Sequence, residues 1–363
     1  MKRILCVGGA RPNFMKLAPL MAELEDSSGY EPLLVHTGQH YDEKMSGAFF
    51  RDLGLPNPDY SLGVGSGSHA QQTAEVMKRF EPVVEHAYPD LVVVVGDVNS
   101  TVGCALTAVK LGVAVAHVES GLRSFDRTMP EEINRLVTDA ISDVLLVSEE
   151  SGIRNLRREG AGEGKIFLVG NLMIDSLRKH LDRARALAVH ERFGLEAGSF
   201  GVVTLHRPAN VDDIDSLNGI LDALAEISRE VPLVFPVHPR TQQQLGGCVP
   251  LRGARVQLVD PLGYLEFLSL VSASTVVLTD SGGIQEETTA LGIPCFTLRE
   301  NTERPSTVEE GTNTLAGTTK SSILAAWAQA KAHPKAGRTP ALWDGKAAAR
   351  CLEAFDEFFQ SRQ

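Results

Sequence analysis

Asp280-Ser281-Gly282-Gly283 closes the apolar run Val276-Val277-Leu278 and opens a helical segment that reaches Leu291. A parallel strand turning on Ser-Gly-Gly into a helix aims free backbone N–H groups at one point, with the positive end of the helix dipole behind them. Such a point suits a diphosphate: the glycines allow close approach to the backbone, and Ser281 adds a hydroxyl donor. Glu287 follows one to two turns into the helix, where a carboxylate can accept both hydroxyls of a ribose. Diphosphate and ribose together imply a nucleotide. The same letters also describe a plain strand–turn–helix connection with Glu on a solvated face.

Further chemistry stands at the ends of other apolar runs. Gly8-Gly9-Ala10-Arg11-Pro12 with Lys16 follows the first run and lacks the G-x-G-x-x-G pattern of a dinucleotide site. Arg11 and Lys16 place two cations at a strand's C-terminal end, where anionic groups bind. Asp97 follows Val95-Gly96, and Glu119 sits in His117-Val118-Glu119-Ser120-Gly121-Leu122-Arg123. Glu131 and Glu132 open a helix after Met129-Pro130. Asp97 has a structural reading as a helix cap, and Glu131 and Glu132 as first-turn acids favoured by the dipole. Three carboxylates at the mouth of one sheet nevertheless repel one another unless cations or a substrate stand between them, and such clusters are tuned for acid–base work. His206, in Thr204-Leu205-His206-Arg207-Pro208-Ala209-Asn210, could bind phosphate or transfer a proton. Val237-His238-Pro239-Arg240 forms a second such loop of lower weight. His36 and His40 are four apart across the turn Thr37-Gly38-Gln39, with no further ligand nearby, so no metal and no cofactor is assigned.

Residues so placed need strands that end together. Apolar runs recur at 3–8, 31–36, 91–96, 113–118, 144–148 and 166–169, then at 200–205, 232–237, 255–259, 275–279 and 294–298. Amphipathic segments lie between most of them, among them 12–25, 70–86 and 214–229. Continuously apolar strands separated by helices imply parallel sheets covered on both faces. The expected fold is α/β: two doubly wound Rossmann-like domains, 1–170 and 171–345, with a helix at 346–363 packing back on them. The link is expected near Val169-Gly170-Asn171, and a cleft between the domains would collect the strand-end residues.

At 363 residues the chain exceeds one ordinary core, and 43% hydrophobic with 22% charged residues is a globular composition. A net charge of -11 argues against a nucleic-acid or anionic-membrane partner, though a local basic pocket still suits an anionic small molecule. No apolar run reaches membrane-spanning length, and the N-terminus enters a strand where a signal peptide would lie. The cysteines Cys6, Cys104, Cys248, Cys295 and Cys351 are scattered and never paired as C-x-x-C. They read as buried thiols of a cytoplasmic protein.

Taken together, Gly9-Ala10-Arg11-Pro12 with Lys16, Gly96-Asp97, His117 through Arg123, Pro130-Glu131-Glu132-x-Asn134-Arg135, His206-Arg207, and Asp280-Ser281-Gly282-Gly283-x-Gln285-Glu286-Glu287 with Glu303-Arg304-Pro305 resemble the non-hydrolysing UDP-N-acetylglucosamine 2-epimerases. The motifs run from residue 8 to 305 in the family's order. The resemblance implies a glycosyltransferase-B-like fold, a homodimer, a UDP-sugar substrate and an interdomain active site. It also implies a route: elimination of UDP across C1–C2 to 2-acetamidoglucal, then re-addition with protonation of the other face. By match, Asp97, Glu119 and Glu131 are the acid–base candidates, with Asp97 and Glu131 favoured for proton transfer. Arg11, Lys16, His206 and Arg304 would hold the sugar diphosphate, and Ser281, Gly282, Gly283 and Glu287 the phosphate and ribose. Arg135 joins the substrate-binding set, and Phe267 matches the segment lining the uracil pocket.

Two departures stand out. Many members read His-Arg-x-Glu-Asn where this chain has Ala209 before Asn210, which puts any role of that glutamate in doubt. Members activated by a second substrate molecule carry a Gln where this chain has Asp42, so weak or absent allosteric activation is expected. The segment from His36 through Met45-Ser46 and Phe49-Phe50 to Tyr60 also resembles relatives acting on the 2,3-diacetamido-glucuronate sugar. Other readings are a glycosyltransferase, which needs no three acids opposite a phosphate clamp, a hydrolysing epimerase releasing N-acetylmannosamine, and a nucleotide-sugar sensor, which could discard Asp97, Glu119 and Glu131.

Overall fold

The computed structural model describes residues 1–38, 50–237, 239–245, 251 and 253–362. The readings placed on Gln39, His40, Asp42, Met45, Ser46, Phe49, His238 and Cys248 lie outside those residues. The chain divides into two compact units, Met1–Lys179 with Ala341–Gln363, and His180–Pro340.

The first unit is built on β1 (Lys2–Gly8), β2 (Tyr30–His36), β3 (Tyr60–Ser61), β4 (Leu91–Val95), β5 (Ala114–Ser120), β6 (Val144–Val147) and β7 (Ile166–Leu168). They form one sheet in the order β3-β2-β1-β4-β5-β6-β7, parallel throughout. Winding starts at β1 and reverses between β1 and β4, so the chain leaves Gly8 and Val95 side by side. Every residue of β4 is buried, as a central parallel strand covered on both faces requires. One face packs Leu5, Val7, Val92, Val94 and Val115 against Phe80, Val84 and Cys104 of the crossover helices. The helix His69–Ala87 starts at a capping box, in which Ser68 Oγ accepts from the Gln71 amide at 3.3 Å and Gln71 returns to the Ser68 amide at 3.2 Å.

The second unit carries β8 (Gly201–Thr204), β9 (Leu233–Pro236), β10 (Val256–Val259), β11 (Val276–Thr279), β12 (Cys295–Thr297) and β13 (Asn313–Leu315). Their order is β10-β9-β8-β11-β12-β13, again parallel, with the reversal between β8 and β11. Val203, Leu205, Phe235, Leu278 and Phe296 fill one face with Leu217, Leu221 and Leu224; Phe200, Val202, Val277 and Leu270 fill the other.

The apolar runs of the sequence become strands, and both sheets are doubly wound and Rossmann-like. β3 and β13 were not expected, because two or three residues at a sheet edge need no apolar run. The division between units falls within the helix Leu172–Ala186 at Lys179, past the expected link at residue 170. Its first turns are tied to the first unit: Ser176 Oγ bonds the Met15 carbonyl, and Asp175 Oδ2 accepts the Ala348 amide at 2.8 Å. The returning segment is anchored there too. Trp343, fully buried, donates to the Ser148 carbonyl at 3.0 Å, and Tyr30 meets Asp356 of the helix Ala347–Gln360 at 2.5 Å. Among the described residues no helix is long and apolar enough to cross a membrane.

Trp343→Ala should cost about 3–5 kcal/mol, the range for emptying a large buried aromatic site, with the lost Ser148 bond included. Urea denaturation followed by circular dichroism checks it. A change under about 1 kcal/mol would mean that the C-terminal segment does not secure the first unit.

Candidate active site

In the first unit the strand ends carry ionised groups that reach one another. Gly8 and Gly9 lead into the helix Arg11–Asp26, and Asn13 on its first turn ties the loop down. Its Oδ1 accepts the amides of Gly9 at 3.1 Å and Ala10 at 2.9 Å, while its Nδ2 donates to the Val95 carbonyl at 3.0 Å. One side chain thus joins the exits of β1 and β4. Lys16, a turn later, is only 4% exposed and forms an ion pair with Glu119. It is therefore no solvated surface cation. Arg11 is exposed at the helix start.

Glu119 occupies a break in β5. The pairing of β5 with β6 shifts register between Val118 and Ser120, and Glu119 has φ +71°, unusual for a residue with a side chain. Such a bulge re-aims a side chain that regular alternation would point elsewhere. Asp97 follows Gly96, whose φ of +70° sets the turn out of β4. Its carboxylate is half-buried and pairs with Arg135. Arg135 also meets Glu132 at 2.9 Å, and Glu132 accepts the Ser124 amide and hydroxyl, each at 2.9 Å, and the Phe125 amide at 3.1 Å. Asn134 Nδ2 donates to the Asp97 carbonyl at 2.8 Å. Glu131, one residue before Glu132, is half-buried and has no hydrogen-bond or ion-pair partner among the described residues. Asp97 with Arg135, and Glu119 with Lys16, thus form two ion pairs at the neighbouring exits of β4 and β5.

In the second unit Asp280, fully buried at the exit of β11, organises the loop after β8. Its carboxylate accepts the amides of His206 at 3.0 Å and Arg207 at 2.9 Å, and Asn210 Nδ2 at 3.2 Å. The His206 ring, half exposed, is held through Nδ1 at 2.8 Å from the same carboxylate. Burial alone would raise the Asp280 carboxyl, but His206 and the loop amides outweigh it and hold it below the ordinary range. Ala209 is exposed on the short helix Pro208–Val211, and Asn210 keeps its place by bonding Asp280 and the Leu298 carbonyl.

The Ser-Gly-Gly motif departs from its expected geometry. Gly282 and Gly283 are not a turn before the helix; they form the first turn of the helix Gly282–Leu291, with Ser281 as its N-cap. Glycine at 282 answers a neighbour: a Cβ there would stand 2.5 Å from Arg304 Nη1 and 3.0 Å from Glu303 Oε1. Ser281 and both glycines remain half-buried at the helix start, where the first amides lack partners within the helix. Arg304 is only 7% exposed and pairs with Glu286 at 3.0 Å and Glu303 at 2.7 Å. Arg299 meets Glu303 at 3.0 Å and Arg207 approaches it at 3.5 Å, so three guanidinium groups gather on one carboxylate. Glu287 is buried. Its carboxyl is pushed up to about 8, first by burial and then by Glu286, against the opposing effect of Tyr264. Phe267 is half-buried, packed beside Phe200 and Val277.

Asn13, Tyr264 and Arg299 were given no role in the sequence reading: Asn13 reaches the Val95 carbonyl and Tyr264 the Glu287 carboxyl, neighbours distant in the chain, while Arg299 meets Glu303 four residues on. Asp139 did carry a signal, since spacings of three and four put it on one face of the helix Pro130–Ile141 with Glu132 and Arg135, and that face is buried.

The family model for UDP-N-acetylglucosamine 2-epimerase matches residues 22–356. The chain belongs to this family. Membership makes it an isomerase, and its two Rossmann-like domains are those of the glycosyltransferase-B-like epimerases. A UDP-N-acetylglucosamine 2-epimerase of Methanocaldococcus jannaschii is 43% identical over 328 residues, covering 88% of this chain and 89% of that protein. A UDP-2,3-diacetamido-2,3-dideoxy-D-glucuronate 2-epimerase of Pseudomonas aeruginosa is 42% identical over 328 residues, covering 89% and 90%. The crystal structure of the Methanocaldococcus jannaschii UDP-GlcNAc 2-epimerase in complex with UDP-GlcNAc and UDP superposes with a TM-score of 0.89 at 41% identity, covering 98% of this chain and 99% of that one.

The raised Glu287 carboxyl has a consequence for stability. The unfolded chain gives up that proton near 4.5, while the folded protein keeps it to about 8, so stability falls as pH rises through this window. Glu287→Gln removes the dependence. The variant's stability relative to the parent should grow by on the order of 2–4 kcal/mol between about pH 5 and pH 8.5, read from urea unfolding without ligand. Parallel pH curves for the two proteins would show that Glu287 ionises in the folded state as it does in the unfolded chain.

Proposed function

We propose that the protein interconverts UDP-N-acetylglucosamine and UDP-N-acetylmannosamine by reversible elimination and re-addition of UDP. The observation that carries this reading is the pairing of carboxylates with cations at the switch point of the first sheet, Asp97 with Arg135 and Glu119 with Lys16. Acid–base groups so held serve proton transfer, which a glycosyltransferase or a sensor does not need at that place.

The chemistry follows from the substrate. C2 has no adjacent carbonyl, so its hydrogen is not acidic enough for simple removal and return. A carboxylate takes the C2 proton while the C–H pair becomes the C1–C2 double bond, the C1–O bond breaks, and UDP departs with that electron pair. 2-Acetamidoglucal remains. UDP then adds back at C1 as C2 receives a proton on its other face. Asp97 and Glu131 are proposed for the two proton transfers, with Glu119 as the third acid–base group. Arg11 and His206 are the more exposed groups for the diphosphate, and Lys16 and Arg304 add positive charge from within their ion pairs. Ser281, Gly282 and Gly283 take the phosphate at the helix start, Glu287 the ribose, and Phe267 the uracil side. Arg135 acts on the substrate through Asp97. A cytoplasmic homodimer using no metal or cofactor completes the proposal, and the buried thiols Cys6, Cys104, Cys295 and Cys351 suit a reducing compartment.

A second substrate is favoured by one specific observation: the Pseudomonas aeruginosa relative, at 42% identity, is named for the diacetamido-glucuronate sugar. Proton NMR in D2O with each UDP-sugar separates the readings. Growth of the manno epimer with deuterium at C2 and only traces of UDP is expected; free N-acetylmannosamine with stoichiometric UDP would mean hydrolysis. Turnover of the diacetamido-glucuronate sugar alone would transfer the proposal to that substrate.

Asp97→Asn should lower kcat by about 100-fold or more while UDP affinity stays within about threefold. Equal loss of turnover and UDP binding, measured by calorimetry, would make Asp97 a structural residue.

A further inference from the structure

Behind Asp97 and Glu119 lies a buried polar cluster that the reaction as described does not use. His117, on β5, is 0% exposed. Its Nδ1 stands 2.6 Å from Asp139 Oδ1 and its Nε2 stands 2.8 Å from the Gly96 carbonyl oxygen. Both partners are acceptors, since Asp139 is held ionised: burial would raise its carboxyl, but His117 and Arg123 outweigh burial and keep it low. The geometry thus offers an acceptor to each ring nitrogen. Asp139 Oδ2 accepts the Gly121 amide at 3.0 Å and Arg123 Nη2 at 2.7 Å. Arg123 in turn meets the Leu122 carbonyl at 2.7 Å and Glu159 at 2.9 Å.

The two groups that this cluster grips flank the carboxylates. Gly96 immediately precedes Asp97, has φ +70°, and returns its amide to the Val118 carbonyl at 3.1 Å. Gly121, with φ +80°, ends the irregular stretch that begins at Glu119, φ +71°. The carboxylate of Glu119 comes within 3.4 Å of where a Cβ on Gly96 would stand, so the two exits are packed together. A left-handed backbone at a residue with a side chain persists only where its surroundings hold it. A buried ionic cluster is a poor way to add stability, because well-packed apolar side chains of the same volume do as well or better. Its use is better sought in what it aligns.

We propose that His117, oriented by Asp139, is a positioning residue for the epimerisation: its Nε2–H holds the Gly96 carbonyl and with it the Asp97 turn, while Asp139 holds the Gly121 end of the Glu119 bulge. The inference rests on the reading of Asp97 and Glu119 as acid–base groups. Arg123 supplies the positive charge that keeps Asp139 an acceptor for both.

The test is His117→Gln in the full chain. The expected result is a kcat lowered about 10–100-fold, as sub-ångström misplacement of reacting groups produces, with KM and UDP affinity within about threefold. Deuterium incorporation at C2 should fall in step with kcat. Unchanged kcat accompanied by a lower melting temperature would show a purely structural role and overturn the proposal. A second measurement stands apart from folding of the variant: 15N-histidine NMR of the parent protein should show one buried ring with both nitrogens protonated and protected from exchange. A ring protonated at one nitrogen only would leave either the Gly96 carbonyl or the Asp139 carboxylate without its donor, and would also overturn it. If the parent epimerises neither UDP-sugar, the functional reading itself fails, and the positioning role falls with it; an active parent with an equally active variant defeats the positioning role alone.

Discussion

A charge drawn out of water at the end of a parallel strand must find its counter-charge within reach, and nearly every feature around the two strand-exit clusters follows from that. An isolated buried carboxylate would take up a proton rather than stay ionised. Here most have a partner, usually supplied by a different element. Lys16 comes from the first helix to Glu119, Arg135 from the helix after β5 to Asp97, and Arg123 and His117 meet at Asp139. In the second sheet His206 answers Asp280, and Arg299 and Arg304 answer Glu303. Glu287 lacks such an answer, and its raised carboxyl records the difference.

The two units use one winding pattern to different ends. In both, the strand order reverses beside the first strand, and neighbouring strands deliver their C-terminal residues to the same place. The first unit spends backbone regularity there: Gly96, Glu119 and Gly121 all adopt positive φ, and the β5 ladder slips. The second keeps regular strands and moves the irregularity into side chains. Asp280 uses its carboxylate as a hub for two loop amides and a ring nitrogen, and the glycine at 282 yields space to Arg304. The proton transfer proposed for the first unit calls for carboxylates held at set positions, and the anion binding proposed for the second calls for donors and positive charge, as at a helix start.

The fold could be read from the chain because strands buried on both faces write themselves as unbroken apolar runs, and helices between them leave room for no other arrangement than parallel sheets. Leu91 to Val95 is the plainest case. The edge strands Tyr60–Ser61 and Asn313–Leu315 left no such mark, since each is short and pairs on one side only. The boundary at Lys179 was hidden for a related reason. What assigns the helix Leu172–Ala186 to one unit at its start is a bond from Ser176 to Met15 and one from Asp175 to Ala348, neither of which is local.

For the site, the chain by itself determined which residue types stand at the strand exits, because apolar runs end where they end and Asp97, Glu119, Lys16, His206, Asp280 and Ser281 follow at once. It also determined the family, since those motifs occur together and in order. Only the tertiary structure decided which charge meets which. Ion pairing depends on strand order, and strand order sets residues such as Lys16 and Glu119, 103 positions apart, side by side. It likewise decided that Glu119 sits on a bulge, that Gly282 makes way for Arg304, and that Asp139 holds His117. Each of these is fixed by contacts between elements, and a local pattern carries no record of the neighbour it will face.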